Sequence, residues 1–101
     1  MDILIAYDLE EKSFQESKHS QVKEGMKSLG YHDHFVVTDE ISKVKTTYYL
    51  PNTTLWKKDT SSTTAKNDLL ALAKQKNASV ERLFATKFSD WAAIPGKAYA
   101  K

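Results

Sequence analysis

Residues 3–10 read ILIAYDLE, an apolar run that ends in a carboxylate at Asp8, with more acids at Glu10 and Glu11. Side chains in a strand alternate between faces, so Ile3, Ile5 and Tyr7 point one way and Leu4 and Ala6 the other. Both sets are apolar, which predicts an interior strand covered at least in part on both sides. Asp8 then falls on the Leu4/Ala6 face, at the strand's end. Whether it has a function or merely finishes the strand is the main question this chain poses.

Outward from that strand, the spacing of Val22, Met26 and Leu29, extended by His19, predicts a helix over 13–29. Ser13 and Glu16 are spaced as a capping box, and Gly30 is a natural terminator. Gly25 costs such a helix about 1 kcal/mol relative to Ala. Residues 31–43 are less regular: YHDHFVV fits a short strand and TDEISK a turn. VKTTYYL (44–50) is rich in β-branched and aromatic residues. Pro51-Asn52 breaks it, and TTLWKK (53–58) returns as the second strand of a hairpin. The alternative is a longer hairpin whose first strand begins near His34. DTSSTT (59–64) supplies a loop and an N-cap for a helix running to Gln75. Ala65, Leu69, Leu72 and Lys76 form one face, widened by Leu70 and Ala73. Asp68 is expected in that helix's first turn and Asn77 at its C-cap. VERLFATKF (80–88) alternates as the last strand.

The order β-α-β-β-α-β in 101 residues is that of a ferredoxin-like split βαβ fold. The expected architecture is α+β: a four-stranded antiparallel sheet with both helices on one face, residues 1–92 as one domain and 93–101 as a C-terminal tail. The second sheet face is left partly bare, which invites dimerisation or ligand binding.

The chain has no cysteine, so disulfides, thiolate metal sites and cysteine nucleophiles are excluded. No apolar run approaches the roughly 18 residues of a membrane span, and the N-terminus lacks the basic region of a signal peptide. A cytoplasmic protein is the expectation. Charge is uneven. Residues 1–40 hold nine acids and four lysines, and residues 41–101 eleven basic residues and four acids. Such asymmetry fits a basic face for an acidic partner, or two halves that cancel by mixing in space.

Asp8 at the tip of a central strand fits a hard cation such as Mg²⁺, which takes oxygen ligands and often only one or two carboxylates. It fits equally a structural carboxylate bonding nearby backbone. Lys43, Lys45, Lys57 and Lys58 flank the expected hairpin and suit phosphate contacts or protection of an edge strand. Trp56, Trp91, Tyr48 and Tyr49 suit base stacking or core packing. His32 and His34 share a face if extended, without a third ligand. No glycine-rich phosphate loop supports a small-molecule sensor.

Tyr7-Asp8-Leu9 after an N-terminal strand, a helix ending in Leu29-Gly30, Thr53-Thr54-Leu55-Trp56, the polar run 59–64 and Asp90-Trp91-Ala92 together cover most of residues 3–92. In this pattern the chain resembles the small CRISPR-associated ferredoxin-like nucleases of the spacer-integration complex. It is more similar to their non-CRISPR relatives, small proteins of unknown role. The resemblance implies a homodimer acting on RNA or DNA as a metal-dependent endonuclease, or a degenerate relative of one. In it Asp8 of each subunit would be catalytic, holding Mg²⁺ or Mn²⁺. The chain departs from that branch in a longer 31–50 region. It also departs in helix one, where Lys12, Lys18, Lys23 and Lys27 stand in place of arginines. A lysine does not reproduce the bidentate arginine grip on phosphate. The competing function is a non-catalytic homodimeric module that binds protein or nucleic acid, with Asp8 structural.

Overall fold

A computed structural model describes residues 2–10 and 16–96. Strand β1 (Ile3–Leu9) leads into helix α1 (Glu16–Ser28), then strands β2 (His34–Thr38), β3 (Lys45–Tyr49) and β4 (Thr54–Lys57). Helix α2 (Ser62–Gln75) and strand β5 (Val80–Lys87) follow. The expected capping box at Ser13 lies outside the described residues. No helix among them is long and apolar enough to cross a membrane.

The α+β class and the two helices hold, but the four-stranded sheet does not. A three-stranded antiparallel sheet has the order β4-β1-β5, and β2 and β3 form a separate two-stranded sheet. β1 is central, as its two apolar faces predict. The expected hairpin of 44–50 with 53–58 is not formed; the alternative, a hairpin whose first strand begins near His34, is, since β3 pairs with β2 from His34 opposite Tyr49 to Thr38 opposite Lys45, while β4 pairs with β1. The shorter chain signal at Pro51-Asn52 is real, but it makes a corner rather than a hairpin. Thr53 takes a left-handed φ of 63°, and Thr54 N–H bonds Pro51 C=O at 3.1 Å. That corner turns Leu55, fully buried, into the core. The segment before β2 makes one β-bridge to β4, where His32 and Trp56 exchange two backbone hydrogen bonds of 2.8 and 3.0 Å.

Ile3, Ile5, Tyr7 and Leu9 line the helix side of β1 and pack with Val22 and Met26 of α1 and with Ala65, Leu69 and Leu72 of α2. Each buried Leu- or Ile-sized side chain contributes about 1.5–3 kcal/mol. Leu29, expected on the α1 face, is instead substantially exposed, as is Leu70 of α2. Gly25 has a packing reason. A Cβ there would lie 2.6 Å from Leu72 Cδ2, so its absence lets the two helices approach.

Both helices end in the same way. Gly30 at φ 99° sends its N–H to Lys27 C=O (3.0 Å), and Tyr31 N–H reaches Met26 C=O (3.1 Å). At α2 the same bonds run from Asn77 (φ 58°) to Lys74 and from Ala78 to Ala73. This is the Schellman pattern, in which a left-handed residue satisfies the last carbonyls. Ser61 caps α2 by accepting from Thr64 N–H at 3.1 Å. Asp68 is not in the first turn of α2, which starts at Ser62. It accepts instead from the buried Tyr31 hydroxyl at 2.9 Å.

Candidate functional site: the open face of the sheet

The face opposite the helices carries Leu4, Ala6 and Asp8 from β1, with cross-strand partners Thr54 and Trp56 on β4 and Arg82, Phe84 and Thr86 on β5. Its two ends differ. Near Leu4 it is roofed by aromatic rings. Phe35 of β2 stacks on Trp56 (centroids 4.5 Å apart) and on Trp91 (4.6 Å), while Phe88 meets Phe35 edge-on at 5.9 Å. Tyr48, opposite Phe35 in the β2–β3 register, meets Trp91 edge-on at 5.7 Å. The Trp56 indole N–H donates to His34 C=O at 2.8 Å, so one side chain ties the small sheet to the large one. Phe35 and Trp56 are packed against one another here, while Trp91 keeps 41% of its surface exposed.

Near Asp8 the face is open, and Phe84 is 67% exposed. Asp8 lies directly opposite Arg82, whose Nε donates to Asp8 Oδ2 at 2.9 Å; the same guanidinium also pairs with Glu81. The bond to Asp8, with the charge of Glu81, holds the Arg82 guanidinium above its usual pKa. The pair joins the acidic first part of the chain to the basic second part, so here the charge asymmetry is cancelled by folding. A divalent cation would have to bind beside that guanidinium. Among the described residues no three of His, Cys, Asp and Glu are grouped to hold a metal ion.

The four lysines do not converge. Lys43, at φ 62°, and Lys45 belong to the far end of the β2–β3 arm. The turn there is held by Asp39, which accepts from Ser42 and Ile41 N–H at 2.9 and 2.8 Å. Those two bonds hold the Asp39 carboxyl below its usual pKa. Lys57 is on the helix side of β4, its ammonium 5.2 Å from the centre of the Tyr31 ring, and Lys58 is exposed just beyond. From Lys45 to Tyr49 is four strand residues, about 13 Å at the usual rise.

The sequence does not single out Asp33, which lies at the corner between the two sheets and is 8% exposed. It bonds the His34 ring Nδ1 at 2.8 Å and pairs with Lys23 and Lys27, each at 3.5 Å. Burial would raise its pKa, but the His34 bond and the charges of Lys27 and Lys23 outweigh that and hold the carboxyl below the usual range. His32 and His34 have ring centroids 6.3 Å apart, and each also meets an aromatic ring, Trp56 at 5.2 Å and Tyr49 at 5.7 Å. Burial also pushes the Tyr7 phenol up to about 12. The only advance signal for Asp33 is an acid set between two histidines, which does not separate a buried corner from a solvated loop.

No protein-family model matches this chain, and no curated protein and no solved structure matches it either.

Proposed function

We propose that the protein is a homodimeric binding module with no catalytic activity of its own, in which Asp8 is structural. Our finer reading of the fold is a ferredoxin-like βαββαβ chain in which the segment 31–38 leaves the main sheet after His32 and becomes part of the β2–β3 arm. The observation that carries the functional reading is the cross-strand pair of Asp8 and Arg82 at 2.9 Å. It gives the carboxylate a partner through strand register alone. The arm supplies the partner surface: Val36, Val37, Ile41 and Val44 are exposed beside Lys43 and Lys45. Apolar groups flanked by cations suit a protein segment with apolar and acidic side chains. The exposed Phe84 supports self-association.

The test is a cleavage assay on mixed RNA and DNA with Mg²⁺ or Mn²⁺. The expected result is no cleavage from the folded protein. Divalent-dependent cleavage that disappears both in EDTA and in Asp8→Ala would overturn the proposal. It would favour the second reading, a metal-dependent nuclease, which one observation supports. Asp8 sits near the end of the central strand with its side chain 53% exposed. In that reading each Asp8 gives up Arg82, and two copies meet at a dimer seam. Arg82→Ala would then raise the cleavage rate.

A further inference from the structure

β5 is the longest strand, eight residues, and only β1 pairs with it among the described residues. The opposite edge of the sheet, along β4, is engaged at its middle by His32. A long free edge presents a row of unpaired backbone groups ready to accept another strand. We infer that two copies of the chain join through β5, antiparallel and centred on Phe84, to form one six-stranded sheet across the dimer.

The side chains choose both the partner and the register. In a symmetric pairing about Phe84, residue 81 faces 87 of the other copy, 82 faces 86 and 83 faces 85. Glu81, the extra residue where the β1–β5 register shifts and already paired with Arg82 of its own copy, is thereby brought near Lys87 twice, once on each side of the axis, and Leu83 meets Ala85. Opposite charges across a strand pair stabilise it and like charges weaken it. Moving the centre to Arg82 would set that guanidinium opposite its own copy. The Phe84 centre also brings the two exposed rings together on the open face, where aromatic pairs gain beyond their area. A two-fold axis uses the β5 edge of both copies at once, so the pairing closes as a dimer and does not propagate.

The inference rests on the homodimer proposed above and adds its surface. The chain contains no cysteine, so single cysteines report contacts cleanly. Phe84→Cys should give a disulfide-linked dimer under mild oxidation, and Val36→Cys on the arm should not cross-link. By sedimentation velocity, Glu81→Lys or Lys87→Glu should weaken the dimer about tenfold or more, since each variant creates two like-charge contacts. The double variant, which restores opposite charges, should return to within about threefold of the parent. Both side chains are exposed, and thermal unfolding checks that each variant is folded. A dimer that cross-links at Val36→Cys and not at Phe84→Cys would overturn this surface and leave the homodimer standing. So would a double variant no tighter than the singles. A monomer at every concentration would overturn both.

Discussion

The two faces of the β4-β1-β5 sheet are separated by one strand's thickness and held by different physics. On the helix side, Ile3, Ile5, Tyr7 and Leu9 are each less than 5% exposed and lie under two helices. Stability there comes from apolar area, is non-directional and grows with every methylene buried. On the other side, Leu4, Ala6 and Asp8 are met by specific partners: stacked aromatics at one end and the Asp8–Arg82 pair at the other. One strand thus delivers a continuous core to one face and individually placed contacts to the other.

The sharpest way to break that comparison is to truncate one large apolar side chain on each side of the sheet. Leu69→Ala should cost about 2–5 kcal/mol in urea unfolding, the usual price of a core cavity. Phe84→Ala, measured at a concentration where the protein is monomeric, should change stability by less than about 0.5 kcal/mol. Similar losses from the two would mean that the faces are not distinct.

The next effect tests how the helices cover the core. Gly25→Leu should destabilise by about 1–3 kcal/mol, because its side chain must displace Leu72. In a Leu72→Ala background, Gly25→Ala should stop being costly. It should recover up to about 1 kcal/mol of helix propensity. If both substitutions prove neutral in the parent chain, the α1–α2 contact is looser than this packing requires.

Asp33 sharpens the comparison with the exposed Asp8. Its folded pKa lies below the unfolded value of roughly 3.9, so its contribution is complete above that value. It is lost as pH falls through the folded pKa. Asp33→Asn should therefore cost about 1.5–3 kcal/mol near neutrality and flatten the acid side of the stability profile. An unchanged acid limb would show that the carboxylate is not held by His34, Lys27 and Lys23. Trp56→Phe should cost about 1 kcal/mol for the lost bond to His34 C=O, and the near-ultraviolet aromatic signal should weaken. Asp8→Asn should have the smallest effect, since the Asp8–Arg82 pair is solvent-exposed and screened by salt.

The central position of β1, the two helices and the face of Asp8 were legible in the sequence. Each follows from local periodicity, which registers burial directly. The α2 N-cap was legible only as the stretch 59–64, which holds Ser61; Gly30 was legible as the end of α1, and Asn77 stands one residue beyond the C-cap, Lys76. Strand partnership was legible only as an alternative, the hairpin beginning near His34. Lys45–Tyr49 has the composition of a strand whichever neighbour it takes, and Pro51-Asn52 looks the same in a corner as in a hairpin. What decides is the burial of Leu55 against the helices and the reach of Trp56 to His34, both long-range. Asp8 was visible as a carboxylate, while Arg82 is 74 residues away and becomes its partner only through the β1–β5 register.

The most direct test of the structural role of Asp8 is paramagnetic broadening by Mn²⁺ of backbone amide signals in the folded protein. If Asp8 is held by Arg82, residues 7–9 and 81–83 should broaden no more than other exposed acidic segments, and Asp8→Ala should leave the pattern unchanged. Selective broadening at those residues that vanishes in Asp8→Ala would contradict the account and make Asp8 a metal ligand.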